Sequence, residues 1–384
     1  MKIIAQDLIN LFEKNPSTEE VSSKLFQLGH ENEIDKGIFH MELTPNRGDC
    51  FSLYGIARDL NYFYGPVKDI HIYDKEIDKL SFNFNNLCKD ICKSISFLEI
   101  EINEKIDEYM PYLENYFVKM QINKTNFFTD VSNYISYELG QPTHCYDREK
   151  LGKDLVLKYL ESSTKFKTLM GNEIDLQEKD CVFTIDNEVI NLAGVMGGIS
   201  TACSPQTRKV LVECAYFEPE SIIGKTQKYN LVSNAAYKFE RGVDMQSHEK
   251  VLRRFIKIVS DHAEIISVKV KSYEEVCPEK KLKIDVNKVN SILGTHISEE
   301  YYLNLLRSIG FIAHSEIIVP SYRHDIQSQN DLSEEVARLI GYNNISSHQI
   351  NLPKTKDKNK DISVNLLRDH LVKSGFNEII NFPF

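Results

Sequence analysis

DVSNYISYELGQPTHCYD, residues 130–147, is the stretch around which the chain is organised. It sets two small polar residues, Ser132 and Asn133, ahead of an apolar run and then exposes Gln141 and His144 as the chain turns at a proline. Proline fixes one backbone dihedral angle and removes a hydrogen-bond donor, so a histidine just past it is typical of a presented side chain. The stretch is therefore predicted to be the centre of a site whose partners come from other segments.

Length and composition predict a multidomain globular protein. A chain of 384 residues is expected to form about two to four domains. Its 42% hydrophobic and 27% charged residues are typical of soluble proteins, and no apolar run approaches the roughly 18 residues that span a bilayer. The first residues also lack the flanks of a signal peptide. These features predict a cytoplasmic protein that makes no membrane contact.

The cysteines and the net charge exclude further classes. Eight cysteines are scattered along the chain, without a CxxC pair or paired histidines at zinc spacing, which predicts reduced structural thiols rather than a zinc site. The net charge of −10 argues against broad attraction to a polyanion, because Lys and Arg supply most non-specific nucleic-acid affinity. Any RNA contact is therefore predicted to be local or helped by a partner.

Hydrophobic periodicity and turn residues predict an α+β multidomain chain with four segments. Residues 1–75 are predicted to form a small N-terminal helical unit, and residues 81–273 a mixed, strand-rich domain. Residues 282–348 are predicted to form a small α/β domain, and residues 362–384 to begin a further one. Charged linkers at 274–281 and 354–361 separate the later segments.

Several individual elements are also predicted. Short apolar runs between turn signals indicate strands, and capped periodic runs indicate helices. Strands are predicted at 155–159, 181–185, 189–192, 210–213, 282–286 and 317–319, and helices at 221–229, 246–265, 298–310, 331–340 and 365–374. The final residues, NEIINFPF, are predicted to be the first strand of another domain, so a fragment or an unusually short natural form is expected.

Three polar residues, Asn133, His144 and Glu213, are candidates for chemistry. One interpretation is a hydrolytic pocket in which the histidine and the amide orient water and substrate. In that pocket, backbone N–H groups of the glycine turn LAGVMGG, residues 192–198, would stabilise an oxyanion. The alternative is a satisfied histidine, a turn-capping asparagine and a salt-bridged glutamate. Cys145 and Cys214 are poor nucleophile candidates, because each directly follows the acid–base residue next to it and adjacent side chains rarely point the same way.

An acidic set near the C-terminus could bind a cation. Asp331, Glu334 and Glu335 have the i, i+3, i+4 spacing that places carboxylates on one side of a helix start, and Asp325 lies just before them. Carboxylate oxygens are suitable Mg²⁺ ligands. The alternative is a helix N-terminus that favours acidic residues for its dipole, with Arg338 pairing with one of the glutamates.

The order of motifs resembles the β subunit of bacterial phenylalanine–tRNA ligase. The matching segments cover nearly the whole chain in family order. They are ELTPNRGDCFSLYGIARDL (42–60), DVSNYISYELGQPTHCYD (130–147), LAGVMGGISTACSPQTRKVLVECAYFEP (192–219), NLVSNAAYKFERGVD (230–244) and PSYRHDIQSQNDLSEEVARLIGYNNI (320–345).

This resemblance implies an editing function for residues 81–273, the hydrolysis of tyrosine wrongly attached to tRNA(Phe). Glu213 would read the tyrosine hydroxyl, and Asn133 with His144 would hold the ester and water. The pocket would be completed by Ser132, Ala193, Gly197 and Ala235, and the magnesium ligands would be Asp325, Asp331, Glu334 and Glu335. Discrimination of this kind needs a second site, because a phenylalanine pocket excludes an added hydroxyl poorly.

The resemblance also implies partners. A phenylalanine–tRNA ligase α subunit would carry aminoacylation and bind most of the ATP, in a heterotetramer of two α and two β chains, and tRNA(Phe) would be the shared substrate. The domain at 282–348 would be winged-helix-like. The alternative is a non-catalytic shortened paralogue that binds an amino acid, a tRNA end or another protein.

The sequence departs from the family pattern at several points. Ser132 stands where threonine is usual, Asn234 where aspartate is common, and Met170 replaces the aspartate of a turn. The family usually inserts an OB-fold tRNA-binding domain between residues equivalent to Glu33 and Met41, and here only a short segment separates them. The sequence therefore predicts an N-terminal part that lacks this insertion.

Overall fold

The computed structural model describes residues 1–152, 154–274, 278–347 and 362–382. Residues 1–345 form one compact unit, and residues 346–384 belong to a second. The described residues of the first unit form both helices and five sheets, so the predicted α+β class is confirmed. No helix in the described ranges combines the length and apolar character needed to cross a membrane.

The N-terminal segment combines three helices with a small sheet. Its elements are β1 (Lys2–Ile4), α1 (Ala5–Asn10), α2 (Thr18–Gln27), β2 (Glu31–Asp35), β3 (Ile38–Glu42) and α3 (Leu53–Tyr64). The Ser17 side chain accepts a hydrogen bond from Glu20 N and begins α2, as helix caps do. The sheet, in the order β1-β3-β2, was not predicted from the sequence.

The β2–β3 hairpin explains the short connection noted in the sequence. Lys36 and Gly37 both have positive φ angles, of 49° and 78°, which is typical of a tight two-residue hairpin turn. Glu33 pairs with His40, and Asn32 pairs with Met41. No domain is therefore inserted between these strands.

The central segment is built on two five-stranded sheets. Its strands are β4 (Asp78–Lys79), β5 (Asn83–Asn86), β6 (Ser94–Ile102), β7 (Thr143–Asp147), β8 (Asp154–Tyr159), β9 (Thr164–Lys167), β10 (Glu173–Leu176), β11 (Cys181–Ile185), β12 (Glu188–Leu192), β13 (Met196–Gly197), β14 (Lys209–Tyr216) and β15 (Ile265–Glu274). One sheet has the order β4-β15-β6-β14-β7 and the other β13-β12-β11-β8-β5, while β9 and β10 form a separate hairpin.

The helices of the central segment are α4 (Pro111–Met120), α5 (Phe127–Leu139), α6 (Pro219–Ile222), α7 (Lys225–Lys228), α8 (Asn234–Phe239) and α9 (His248–His262). Helices α5 and α9 pack on one face of the first sheet, and α4 belongs to the same core. Ile222 of α6 and Phe239 of α8 instead pack in the core of the second sheet. Along β6, alternate residues enter different cores: Leu98 and Ile100 pack with the helices, and Ile95 and Phe97 pack toward the second sheet. The sheet is therefore buried on both sides, and the candidate site lies on the side away from α5 and α9.

The segment that follows is a small α/β domain. It contains β16 (Lys280–Leu282), α10 (Val286–Leu293), α11 (Glu299–Ser308), β17 (Ile312–Ala313), β18 (Ile317–Val319) and α12 (Gln329–Ile340), with the strands in the order β16-β18-β17. The second unit contains α13 (Ile362–Lys373). The charged linker predicted at 354–361 lies outside the described residues.

Most predicted elements are present, and three differ. Residues 221–229 form the end of α6 and then α7 rather than one helix, because Gly224 between them has a φ of 80°, which no α-helical residue adopts. The strand predicted at 282–286 ends at Leu282, since Asp285 caps α10. The strand predicted at the C-terminus is wrong for residues 377–382, which form no strand and are exposed; the last two residues lie outside the described ranges.

Candidate functional site

Two neighbouring strands bring His144 and Glu213 together. β7 and β14 are antiparallel, and His144 lies directly opposite Glu213 in their register. Residues opposite each other in an antiparallel pair point to the same face, with Cβ atoms about 4.5–5.5 Å apart. Two side chains that are distant in sequence therefore form a cross-strand pair.

A cavity of about 60 Å³ opens in front of this pair. Its volume is several times the roughly 10–15 Å³ that one water molecule needs. Its wall contains the ionisable side chains of His144 and Glu213, together with apolar residues and glycines such as Val195, Gly197 and Phe239. An apolar enclosure that contains two ionisable groups is a common form of ligand site.

The buried carboxylate of Glu213 is held from the protein side. The Tyr146 hydroxyl donates to Glu213 Oε2 at 2.6 Å, and Asn191 Nδ2 donates to the same hydroxyl at 2.8 Å. Burial raises the pKa of Glu213 to about 7, while the hydrogen bond from Tyr146 opposes this rise. Near neutral pH the side chain is therefore divided between the carboxylate and the carboxylic acid.

His144 presents an unpaired ring nitrogen to the cavity. Its Nε2 atom is enclosed and has no hydrogen-bond partner within the described ranges. Burial lowers the pKa of His144 to about 4, so the imidazole is neutral at pH 7. A neutral imidazole offers one N–H donor and one acceptor nitrogen. The side chain can therefore orient a water molecule or a carbonyl group by hydrogen bonding.

Gly197 allows the backbone to approach this imidazole closely. A Cβ atom at position 197 would lie 2.3 Å from His144 Cε1 and 2.8 Å from His144 Nε2. Such contacts are far shorter than ordinary van der Waals distances, so the absence of a side chain is required for the approach. The glycine turn is thus one wall of the cavity, against the ring of His144.

The structure brings four predicted pocket residues to the cavity wall, namely His144, Gly197, Glu213 and Ala235. The other three lie elsewhere, and each occupies a different environment. Ser132 is behind the wall, where its hydroxyl donates to the backbone oxygen of Thr143 at 2.7 Å, and Thr143 itself lines the cavity.

Ala193 and Asn133 do not line this cavity. Ala193 faces a separate space of about 10 Å³ beside Phe217 and Ile222. Asn133 is exposed on α5. An asparagine on the solvent side of that helix is not in position to hold a ligand inside the cavity as the chain is folded here.

The turn predicted to expose Gln141 and His144 is more enclosed than the sequence indicated. Gln141 is 1% exposed, and its Nε2 atom donates to Ala215 O at 2.8 Å. His144 belongs to β7 and is half-buried. The prediction of an exposed turn was wrong because the chain re-enters the sheet immediately after Pro142, where pairing with β14 encloses it.

Several backbone amides of the glycine turn already donate hydrogen bonds to backbone carbonyl groups. The amide groups of Ala193, Val195 and Gly198 donate to the carbonyl oxygens of Cys181, Leu192 and Ile190. These three N–H groups are not free to stabilise an oxyanion. The predicted oxyanion role is therefore confined to the remaining amides of the turn.

Sequence comparisons match two domain families in this chain. Residues 97–264 match the B3/4 domain, and residues 282–342 match the tRNA synthetase B5 domain. A relative in Francisella tularensis, named phenylalanine–tRNA ligase beta subunit, is 30% identical over 369 residues, which are 91% of this chain and 46% of that protein. The chain is thus similar over most of its length to phenylalanine–tRNA ligase beta subunits.

A beta subunit from Fusobacterium nucleatum is 28% identical over 367 residues, covering 90% of this chain and 45% of that protein. The chain thus spans about half the length of the curated relatives it matches. A crystal structure of an N-terminal fragment of the phenylalanyl-tRNA synthetase beta subunit from Pyrococcus horikoshii aligns with a TM-score of 0.48 and 14% identity, over 88% of this chain and 99% of the fragment.

The four carboxylates that the resemblance to phenylalanine–tRNA ligase beta subunits assigns to magnesium are not gathered at one point. Arg323 donates to both oxygens of Asp325, at 2.9 and 2.8 Å, and to Glu335 at 2.6 Å. Asp331 caps α12 by accepting from Ser328 N, and Glu334 is exposed. The side chains in this arrangement do not fit an assembled Mg²⁺ site, and magnesium binding stays a prediction.

A second group of possible metal ligands does lie close together, but arginine side chains bind one of its members. Among the described residues, the group of possible metal ligands within reach of one another is His30, Cys50 and Asp59. Arg47 and Arg338 both donate to the Asp59 carboxylate, at 2.9 and 2.7 Å. Burial raises the pKa of the Cys50 thiol, which keeps it protonated. Two guanidinium groups and a neutral thiol leave no place for a metal cation.

A larger cleft of about 350 Å³ lies beside α3 and the start of α9. None of the predicted site residues lines it. Its Asp49 carboxylate is bound by Arg47, and Arg58 stacks on Tyr322 with 3.5 Å between the guanidinium carbon and the ring centre. The smaller cavity is the candidate site because its wall contains an enclosed carboxylate and an unpaired imidazole nitrogen, not because of its volume.

Two residues of the site, Tyr146 and Asn191, were not predicted from the sequence. Tyr146 is two residues beyond His144 on the same strand, so both side chains point to one face. Reading residues 143–147 as a strand would have revealed it. Asn191 had no comparable signal, because β12 belongs to the other sheet and its contact with Tyr146 depends on how the two sheets meet.

Proposed function

We propose that this chain acts as part of a phenylalanine–tRNA ligase β subunit and that its cavity hydrolyses Tyr-tRNA(Phe). The observation that carries the proposal is an ionisable carboxylate, Glu213, enclosed with the unpaired Nε2 atom of His144 in a small and otherwise largely apolar cavity. The matches to the B3/4 and B5 domain families support the same proposal.

Recognition of the substrate rests on the contrast between Glu213 and the apolar wall. A phenol hydroxyl that enters the cavity can donate a hydrogen bond to the carboxylate, which recovers part of the cost of burying that group. Phenylalanine offers no donor, so the carboxylate keeps only its hydrogen bond from Tyr146. A site of this kind rejects the analogue that lacks the hydroxyl far more strongly than an apolar pocket rejects an added hydroxyl.

Hydrolysis then needs a water molecule beside the ester carbonyl. The water oxygen attacks the carbonyl carbon, the bond to the ribose oxygen breaks, and the proton from water passes to that oxygen, which yields tyrosine and uncharged tRNA. His144 is neutral at pH 7, so its role in this proposal is to hold the water or the carbonyl oxygen in position. Gly197 keeps the ring of His144 at the wall.

Deacylation of Tyr-tRNA(Phe) by the purified chain tests this function. Glu213→Ala and His144→Ala should each lower the rate about 100-fold or more, because each removes a positioning contact. Hydrolysis of Phe-tRNA(Phe), measured in parallel, should be slow in the wild-type chain and in both variants. Equal rates on the two charged tRNAs in the wild-type chain would refute the proposal.

Partners and cofactors belong to the same proposal. An α subunit would supply the aminoacylation site and most ATP contacts, Mg²⁺ would accompany that assembly, and the complex would act in the cytoplasm. The net charge of −10 makes broad attraction to tRNA unfavourable. Contact with tRNA(Phe) is therefore expected to be local or completed by the partner chain.

A non-catalytic binding module is the second candidate, and the position of Asn133 favours it. That residue was predicted to help hold the ester, yet it is exposed on α5. Under this alternative the cavity binds tyrosine without hydrolysing an ester. Calorimetry that detects tyrosine binding, combined with a wild-type deacylation rate equal to the uncatalysed rate, would favour the module over the enzyme.

A further inference from the structure

The Tyr146 hydroxyl contacts Glu213 but is not part of the cavity wall. Tyr146 is fully buried, whereas Glu213 and Asn191 line the cavity. We propose that Tyr146 is a positioning residue that determines specificity, because it holds Oε2 of Glu213 and leaves Oε1 to receive the hydroxyl group of the ligand. This inference rests on the proposed function, since it assigns to Tyr146 the orientation of the group that reads tyrosine.

The hydrogen-bond directions follow from the donors available. An ionised carboxylate only accepts, so the Tyr146 hydroxyl must donate to Glu213 Oε2 across the 2.6 Å contact. Its oxygen is then free to accept from Asn191 Nδ2 at 2.8 Å. Two hydrogen bonds therefore run in one direction, from Asn191 to Tyr146 and from Tyr146 to Glu213. The carboxylate is thus already bound by one phenol hydroxyl, that of Tyr146.

One carboxylate oxygen is left for a ligand. Among the residues that the structure describes, the hydrogen bond to the Glu213 side chain comes from Tyr146 and goes to Oε2, so Oε1 is left without a donor. A carboxylate has about four lone-pair positions, so it can accept from the resident phenol and from a second phenol at the same time. Two hydroxyl donors on one carboxylate favour its ionised form, which is the form that binds a hydroxyl most strongly.

Tyr146 also packs against the other side chain of the cross-strand pair. Its ring meets the imidazole of His144 edge to face, with 4.4 Å between the ring centres. Removal of the hydroxyl alone leaves this packing in place. The substitution Tyr146→Phe therefore separates the hydrogen bond from the shape of the cavity wall.

The groups around Glu213 allow its titration to be interpreted. On β7 it faces His144 and Tyr146, on β6 it lies opposite Phe97, and on β12 it is near the amide of Asn191, linked through Tyr146. The negative charge of Glu213 also raises the pKa of two nearby thiols, those of Cys92 and Cys145. Burial lowers the pKa of His144 to about 4 and raises those of both thiols, so these groups stay neutral near pH 7.

The experiment compares the wild-type chain, Tyr146→Phe and Tyr134→Phe in two measurements. Tyr134 is a matched control, because its buried hydroxyl also donates to a carboxylate, Glu138, at 3.1 Å but lies on α5. The first measurement is carbon NMR of Glu213 as a function of pH, with its signal assigned through Glu213→Gln. The second is calorimetry of L-tyrosine and L-phenylalanine binding to the full chain.

Tyr146→Phe should raise the titration midpoint of Glu213 by about one pH unit and reduce the preference for tyrosine over phenylalanine about tenfold at pH 7.5. Tyr134→Phe should change neither quantity. An unchanged midpoint, or an unchanged tyrosine preference, in Tyr146→Phe would overturn the inference about Tyr146. A wild-type chain that fails to prefer tyrosine would overturn the proposed function and the inference with it, and this failure is visible without any variant.

Discussion

Replacement of Gly197 by alanine tests whether the imidazole of His144 must lie against the glycine turn. Position 197 does not have a positive φ angle, so alanine fits the backbone and the effect comes from the added methyl group. That methyl would be 2.3 Å from His144 Cε1, whereas ordinary contact begins at 3.4 Å. The ring must therefore move by about 1.1 Å, or the turn must move instead.

A displacement of this size is expected to lower Tyr-tRNA(Phe) deacylation about 100-fold, while overpacking should reduce the free energy of unfolding by about 1–3 kcal/mol. Single-turnover deacylation and urea unfolding measure the two effects. Gly152→Ala is the control, because its Cβ would lie 2.7 Å from a methyl group of Ile185, away from the cavity. That variant should lose stability but retain activity. A folded Gly197→Ala chain with wild-type deacylation would refute the reasoning about His144.

Two further predictions concern stability. Glu213→Gln should raise the free energy of unfolding, measured by urea unfolding, by up to about 3 kcal/mol at pH 8 but not at pH 4. Burial raises the pKa of Glu213 from its ordinary 4.5 to about 7, so the cost of ionising this side chain in the folded state appears only as the pH rises through this interval. An equal gain at both pH values would contradict this. Asp59→Asn should lower the free energy of unfolding by about 3–5 kcal/mol, since it leaves buried arginines without their carboxylate. Glu173→Gln, which breaks an exposed pair with Lys165, should cause no measurable change in the same urea unfolding experiment. A small effect of Asp59→Asn would contradict this prediction and show that the buried charges are compensated elsewhere.

Local sequence patterns predicted the helices and strands that are determined by residues within the same segment. The strand at 181–185 and the helix at 246–265 appear as β11 and α9 with nearly the predicted bounds, because apolar spacing and turn residues determine them. The C-terminal strand was wrong, since an apolar run forms a strand only where a partner strand supplies hydrogen bonds.

The candidate site depends on pairings between distant segments. Glu213 and His144 meet because β14 and β7 share one register, and register is not encoded by either strand alone. The resemblance to a known family connected these two residues before the structure did. It did not indicate Tyr146, and it assigned Asp325 and Glu335 to a metal where Arg323 binds both of them.

The buried charge cluster joins residues from opposite ends of the first unit. Asp59 and Arg47 come from the N-terminal segment, while Arg338 and Glu335 come from the small α/β domain, and Arg338 donates to both Asp59 and Glu335. A change of charge at one of these positions leaves another charge buried without a partner. Among relatives of this chain, these positions are therefore expected to change together or to stay the same. The charged residues of one segment thus limit which substitutions the other segment can accept.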